Sequence, residues 1–340
     1  MNTDRLEKLI ATFGVSSAEE AIAKTIKENY EAQDVSIKKD RLGSVFAYKA
    51  SKNASAKTLM IATALDEFGC MVSEVKKDGS LAFIQLEGFA LTSLLNQRVC
   101  VLTRDNNCIH GVVCSKKKVI EDKCEVKTAD DLYIKCALPK EKVLEMVRPG
   151  DLVGYAPNFV DGDIMMGKAL AIRSLNEVTM SLLEKIKDEE FDFNIAIGGI
   201  AQSTIGYRGT QTATYVIKPN MAIALTGFDG ANNDVTLGDG VIVGYYDKQM
   251  LPSKRLLADI CSQLKPKAYF GFTGNDGSFI HKTLGGTPCV SVGMPVINMG
   301  SANEMVAKAD VNAVVDGLYA YLHHLNNEII DNCGFGDEND

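Results

Sequence analysis

Several things are scarce or missing in this chain, and each absence closes a class of function. Basic residues are outnumbered, with 36 Lys and Arg against 44 Asp and Glu, for a formal net charge of −8. A nucleic-acid binder would carry a basic footprint instead. Lys116-Lys117-Lys118 is the only compact basic run and reads as a solvated loop or strand end. No apolar run approaches the ~20 residues that span a bilayer. The first residues open an amphipathic segment without the apolar stretch of a signal peptide. A soluble, cytoplasmic protein is expected, with no nucleic-acid or membrane partner.

Nine cysteines occur, an odd number, and no two stand as C-x-x-C. That argues against a disulfide framework and suits a reducing compartment. Six fall between Cys70 and Cys136, with spacings such as Cys108 to Cys114 and Cys124 to Cys136 that match no usual structural zinc pattern. They are expected as small buried hydrophobes. Histidine is also scarce: His110, His281, His323 and His324 are all there is. The last two lie near the end of an expected helix, where surface or capping roles are usual.

What is present is ample apolar material, 46% of 340 residues, enough for two domains by length. Leu6, Leu9, Ile10 and Phe13 share one face of a helix over residues 3–13. Ser17-Ala18-Glu19-Glu20 predicts a capping-box start for a helix reaching Tyr30. Thr58–Leu65 reads as a strand buried on both faces. From residue 70 to about 160 short apolar runs alternate with turns, the texture of a small β-barrel or sandwich. Beyond Ala169 helices and strands alternate again. Strands are expected at 193–201, 221–226, 241–246 and 289–292, and helices at 173–187, 210–216, 252–264, 277–284 and 303–326. The simplest architecture is one α/β domain, 1–69 with 163–340, interrupted by a β domain at 70–162. The acidic tail 334–340 is expected to be disordered. The Gly198-Gly199 pair matches no phosphate loop and reads as a strand end.

Five segments then stand out: Ala62–Val72, Gly167–Arg173, Gln202–Gly209, Pro219–Thr226 and Met294–Ser301. In order and spacing they resemble the motifs A-H-M-D-E-I-G-x-M-V, G-K-A-L-D-D-R, Q-E-E-x-G-x-R-G, P-D-x-A-I-A-V-D and I-P-x-R-Y-x-H-S. These belong to the tetrahedral dinuclear metallo-aminopeptidases, a family of glutamyl and deblocking aminopeptidases in which some members carry an endoglucanase name. The resemblance implies a zinc-aminopeptidase-like (phosphorylase/hydrolase-like) α/β fold with helices on both faces of a mixed sheet and an inserted β-barrel. It also implies assembly through that barrel, from dimers up to dodecamers.

The resemblance keeps the frames and changes the chemistry. The family's two zinc or cobalt ions would be held at positions that are Ala64, Ala171, Thr204, Thr226 and Gly300 here. The general base would fall at Ser203. Two divalent ions ~3.5–4 Å apart need a bridging carboxylate and further anionic or imidazole ligands. Ala and Gly offer no ligand atom, and a Thr hydroxyl is a poor substitute for a carboxylate. No metal and no cofactor are therefore expected, and the general base, worth about 10²–10⁴ in rate, is missing too. Losing all the acids together is self-consistent, because a metal-free cluster of buried carboxylates would repel and stay desolvated.

Asp66, Glu67 and Arg173 remain, and with Ser203 they are the polar residues available for reuse in the cleft. The first three are expected as one charge cluster. The favoured expectation is a non-catalytic family member that binds a peptide or small ligand, or that assembles with itself or with an active relative. One alternative is an active aminopeptidase whose metal site is relocated onto Asp66, Glu67 and Asp229. Another is a metal-free hydrolase using Ser203, for which no neighbouring residue in the sequence supplies a base.

Overall fold

The computed structural model describes residues 1–87, 89–116, 126–230, 235–271 and 274–334. Cys124, Lys117, Lys118 and the tail 335–340 lie outside these residues. Three strands open the chain: β1 (Ser36–Lys39), β2 (Val45–Lys49) and β3 (Thr58–Ala64). Six follow: β4 (Cys70–Val75), β5 (Ser80–Gln85), β6 (Arg98–Leu102), β7 (Cys108–Ser115), β8 (Leu132–Cys136) and β9 (Leu152–Tyr155). The remainder are β10 (Phe159–Val160), β11 (Ile164–Gly167), β12 (Asn194–Ile200), β13 (Met221–Asp229), β14 (Ile242–Tyr246), β15 (Lys267–Phe270), β16 (Cys289–Val296) and β17 (Glu304–Ala307).

Eight strands form one mixed sheet in the order β1-β2-β12-β3-β13-β16-β14-β15. Its centre, β12, β3, β13 and β16, is parallel. Alternation along each central strand divides its side chains between two apolar cores. Leu59, Ile61, Ile195, Ile197, Met221 and Ile223 join the helices Thr3–Ala11, Glu20–Glu31, Leu170–Ile186 and Lys308–His324. Met60, Ala62, Ala196, Ala222 and Ala224 face the other way, toward the helix Arg208–Ile217. A strand buried on both faces has no polar positions, which is why these segments read as unbroken apolar runs. Gly198 and Gly199 lie within β12. A Cβ on the first would come 2.2 Å from the Val45 carbonyl, and one on the second 2.2 Å from Leu65.

The strands β4 to β9 close a barrel in the order β4-β5-β8-β7-β6-β9 around its own core, including Val72, Phe83, Val101 and Ile134. Cys100 and Cys108 are joined by a disulfide across the β6–β7 hairpin. This corrects the expectation of reduced cysteines at one place, because antiparallel pairing brings the two residues together. Cys70, Cys136, Cys289 and Cys333 are buried and free.

Three details depart from the sequence pattern. The helix expected from residue 303 starts only at Lys308, because Glu304–Ala307 pairs with β11 as β17. The helix expected at 277–284 is one turn, Gly277–Ile280. The capping box is not formed: Ser17 is left-handed (φ 75°), and the second helix begins at Glu20 without a side-chain cap. The Glu19 carboxylate is used elsewhere, as described below. No helix among the described residues is long and apolar enough to cross a membrane.

Candidate functional site

A cavity of about 530 Å³ opens at the carboxyl ends of β3, β12 and β13, the edge at which open α/β sheets place their ligands. Each lining residue arrives by a different route. Ala64 ends β3, Thr226 lies in β13, Ala171 is in the first turn of the helix Leu170–Ile186, and Ser203 and Thr204 lie in the turn that leaves β12. Gly300 is not with them. It sits behind Phe68 and Glu304, in a small adjoining pocket.

The turn after β12 is shaped by backbone demands. Gln202, Gly206 and Tyr207 are left-handed, with φ of 51°, 74° and 55°. A Cβ on Gly209 would come 2.1 Å from the Ala201 carbonyl. The Arg208 amide donates to the Gln202 carbonyl at 3.0 Å, and the Tyr207 amide to the Ser203 carbonyl at 3.1 Å. The segment Gln202–Gly209 is thus fixed by its own backbone course, whatever sits at 203 and 204.

Three carboxylates then seize that turn. Asp66 accepts the amides of Ser203 (2.8 Å) and Thr204 (3.0 Å) and the hydroxyls of Thr204 and Ser16 (both 2.5 Å). Asp276 accepts the hydroxyls of Ser203 (2.6 Å) and Thr210 (2.5 Å). Glu19 accepts the amide of Gln202 at 2.9 Å. All three acids are buried, and every one of these donors is neutral. Burial raises the Asp66 carboxyl, and the donors only partly offset it. Burial pushes Asp276 up to about 6 and Glu19 up to about 7, with the Asp66 charge adding to both.

Glu67, the next residue, has the opposite surroundings. Its oxygens accept from Lys168 Nζ at 2.6 and 2.7 Å and from Arg173 Nη2 at 2.9 Å. Burial favours its neutral form, but the two cations outweigh burial and hold its carboxyl below the usual range. Arg173 Nη1 also donates to the Leu65 carbonyl at 2.6 Å. The expected cluster is therefore split: Glu67 and Arg173 meet, Lys168 joins them, and Asp66 belongs to the Ser203–Thr204 turn. Adjacent residues leaving a strand end point to different sides.

Glu304 borders both pockets and accepts the amides of Ala171 (2.8 Å) and Gly300 (2.7 Å). At the Ala171 amide, in the first turn of the helix Leu170–Ile186, a carboxylate complements the helix N-terminus. Burial nonetheless pushes its carboxyl up to about 7. Glu304, Lys168, Asp276 and Glu19 carry no mark as site residues in the sequence. Only Glu304, three residues past the last motif position, and Lys168, inside a motif, stood where a signal could have found them.

The profile of the M42 glutamyl aminopeptidase family matches residues 43–316. The chain belongs to that family. An inferred aminopeptidase of Acetivibrio thermocellus is 30% identical over 92% of this chain and 96% of its own length. A TET aminopeptidase from a marine sediment thaumarchaeon superposes with a TM-score of 0.89 at 24% identity, covering 98% of both chains. The TET1 peptidase of Pyrococcus horikoshii, which can assemble into a tetrahedron or a large octahedral shell, gives 0.85 at 20% identity, over 95% of this chain and 99% of its own.

A dinuclear metal centre of the M42 type does not fit the residues present. Ala64 and Ala171 carry no donor atom, and the Thr204 hydroxyl is engaged by Asp66. A side chain at Gly300 would need φ of 81°, and its Cβ would come 2.9 Å from that of Phe89. Among the described residues no three His, Cys, Asp or Glu side chains converge as metal ligands. Asp66, Glu67 and Asp229 do not share a pocket: Glu67 borders the small one behind Phe68, and Asp229 lies in a side chamber beyond Thr226. Nor, among the described residues, does an imidazole meet Ser203, whose hydroxyl donates to Asp276. His281 Nδ1 contacts the Gly277 carbonyl, His323 meets Glu189 and His324 meets Asp259, while His110 is in the barrel.

Proposed function

We propose that this chain is a catalytically inactive member of the M42 aminopeptidase family, whose former metal cleft holds a peptide or small-molecule ligand without cleaving it. One observation carries the reading: the amides and the Thr204 hydroxyl of the Ser203–Thr204 turn are satisfied by Asp66, at the positions that resemble the family's general base and one metal ligand. Ala64, Ala171, Thr226 and Gly300 leave the remaining ligand positions without carboxylate or imidazole. The same contacts weigh against Ser203 as a nucleophile, since amides bound to a carboxylate offer no oxyanion hole.

The barrel, residues 70–162, serves in this proposal as the unit of homo-oligomeric assembly, in line with the shells formed by the Pyrococcus relative. Co-assembly with an active family member is the variant form. The protein acts in the cytoplasm and needs no cofactor.

The test is metal content after saturation with zinc or cobalt, measured together with turnover of aminoacyl chromogenic substrates. Substoichiometric metal and no chelator-sensitive turnover are expected. Two stoichiometric ions with turnover would overturn the proposal. Labelling by a serine-reactive probe that Ser203→Ala abolishes would favour the Ser203 reading instead. Light scattering on the purified chain reads the assembly.

A further inference from the structure

The cleft has a second compartment. A side chamber of about 60 Å³ opens from it across Thr226, Gly227, Asn275 and Met299, which border both. Its walls include three aromatic rings and two carboxylates: Phe228, Tyr246, Tyr269, Asp229 and Asp247. Phe228 and Tyr269 hold their ring centroids 4.8 Å apart at 57°. Asp247 is 8% exposed; its oxygens accept the Gln249 amide at 2.7 Å and Asn275 Nδ2 at 3.2 Å. A carboxylate has about four lone-pair sites, so these two neutral donors leave acceptor capacity. No lysine or arginine lines the side chamber among the described residues.

The geometry points to the side chamber as a cation-accepting subsite, so that the ligand of the cleft is a small organic cation, an ammonium or guanidinium carried on an apolar body. This inference rests on the ligand-binding reading above and names the chemistry of the ligand.

Ring faces carry negative quadrupole potential and attract a cation within about 6 Å of the centroid, most strongly when water is excluded. Two carboxylates in the same small space reinforce the field. The space exceeds the roughly 10–15 Å³ that one water needs and suits a charged head group. The main chamber falls in the roughly 300–1,000 Å³ range of small-molecule sites and offers Ile172, Leu175, Leu225 and Phe68 to an apolar body. Thr63 also lines it, with its hydroxyl buried and without a hydrogen-bond partner among the described residues. Lys248 is the single lysine or arginine lining either chamber among the described residues. It is exposed to solvent, so water screens its charge.

The test is calorimetric titration of the full chain with three matched probes: phenethylamine, 2-phenylethanol and 3-phenylpropionate. An N-acetylated, C-amidated lysine dipeptide forms a fourth arm. Phenethylamine should bind at least about tenfold tighter than the alcohol or the acid, a difference of about 1.4 kcal/mol. Asp247→Asn and Asp229→Asn should each weaken it several-fold. Dipeptide binding of equal strength would assign the cation to a peptide side chain, and its failure beside a bound amine would assign a free amine.

Equal or tighter binding of the alcohol or the acid would overturn the inference while leaving a ligand-binding cleft in place. Amine binding untouched by both Asp variants, or no binding by any probe, would also overturn it. The probe comparison on the unsubstituted chain does not depend on the variants folding. Failure of the inactive-homologue proposal is read separately, by metal content and turnover.

Discussion

Asp66 and Glu67 are neighbours in sequence, both buried, and they obey opposite rules. Glu67 keeps two cations within 3 Å and stays ionised. Asp66 has only hydroxyls and amides around it, and burial raises its carboxyl. The first is a charge cluster whose parts, Lys168 and Arg173, are retained in the motif frame. The second is a cluster of acids, Asp66, Asp276 and Glu19, tied to a turn whose own side chains at 203 and 204 are hydroxyls. The difference separates two ways of holding a buried acid: a paired charge is indispensable locally, whereas an acid held by neutral donors is adjustable.

Breaking the paired cluster should have the largest effect. Glu67→Gln leaves Lys168 and Arg173 buried without their counter-ion and should cost about 3–5 kcal/mol, read as a lower urea midpoint. A change below 1 kcal/mol would dissolve the contrast. Asp66→Asn comes next, at about 2–3 kcal/mol, because an amide nitrogen cannot accept from Thr204. Its signature is local: the Ser203 and Thr204 amides should exchange hydrogen faster while the barrel core is unchanged.

Gly300→His tests whether the cleft can be refitted one residue at a time. The left-handed backbone and the contact with Phe89 should cost about 1–3 kcal/mol, with no gain in zinc binding. Stoichiometric zinc in that variant would show the cleft to be closer to a metal site than its geometry indicates.

The last effect is a slope. Glu19 has a carboxyl raised from 4.5 to about 7 when folded, so the folded state binds its proton more tightly than the unfolded chain does. Its contribution is greatest below about pH 4.5 and is lost as pH rises through about 7. Glu19→Gln should remove that loss, up to roughly 1.4 kcal/mol per pH unit within this window. Urea titrations at pH 5 and pH 7.5 read it. An unchanged slope would move the titration to another acid.

Much of the fold was legible because its signals are local. The central strands are apolar on both faces, so they read as strands without knowledge of their neighbours. Gln202–Gly209 was recognisable because its left-handed positions and the close approach at Gly209 restrict the residues allowed there. β17 was not legible: Glu304–Ala307 runs into a helix with no glycine or proline between, and only pairing with β11 makes it a strand. β15 is four residues at the sheet edge, too short for periodicity to show. Ser17–Glu20 had the letters of a capping box, but Ser17 is left-handed and the helix starts only at Glu20, while Glu19 between them bonds to Gln202, 183 residues away.

The sequence by itself determined the family frame and the identity of the side chains at Ala64, Ala171, Ser203, Thr204, Thr226 and Gly300, since both follow from which atoms each residue carries. Tertiary structure alone decided their company. It set Ala64, Ala171, Ser203, Thr204 and Thr226 around one cavity and Gly300 behind it. It also sent Asp66 to the turn and Glu67 to the cations, and opened an acidic aromatic chamber beside them. Those outcomes depend on contacts between segments far apart in the chain, and no local pattern encodes which partners a buried side chain will meet.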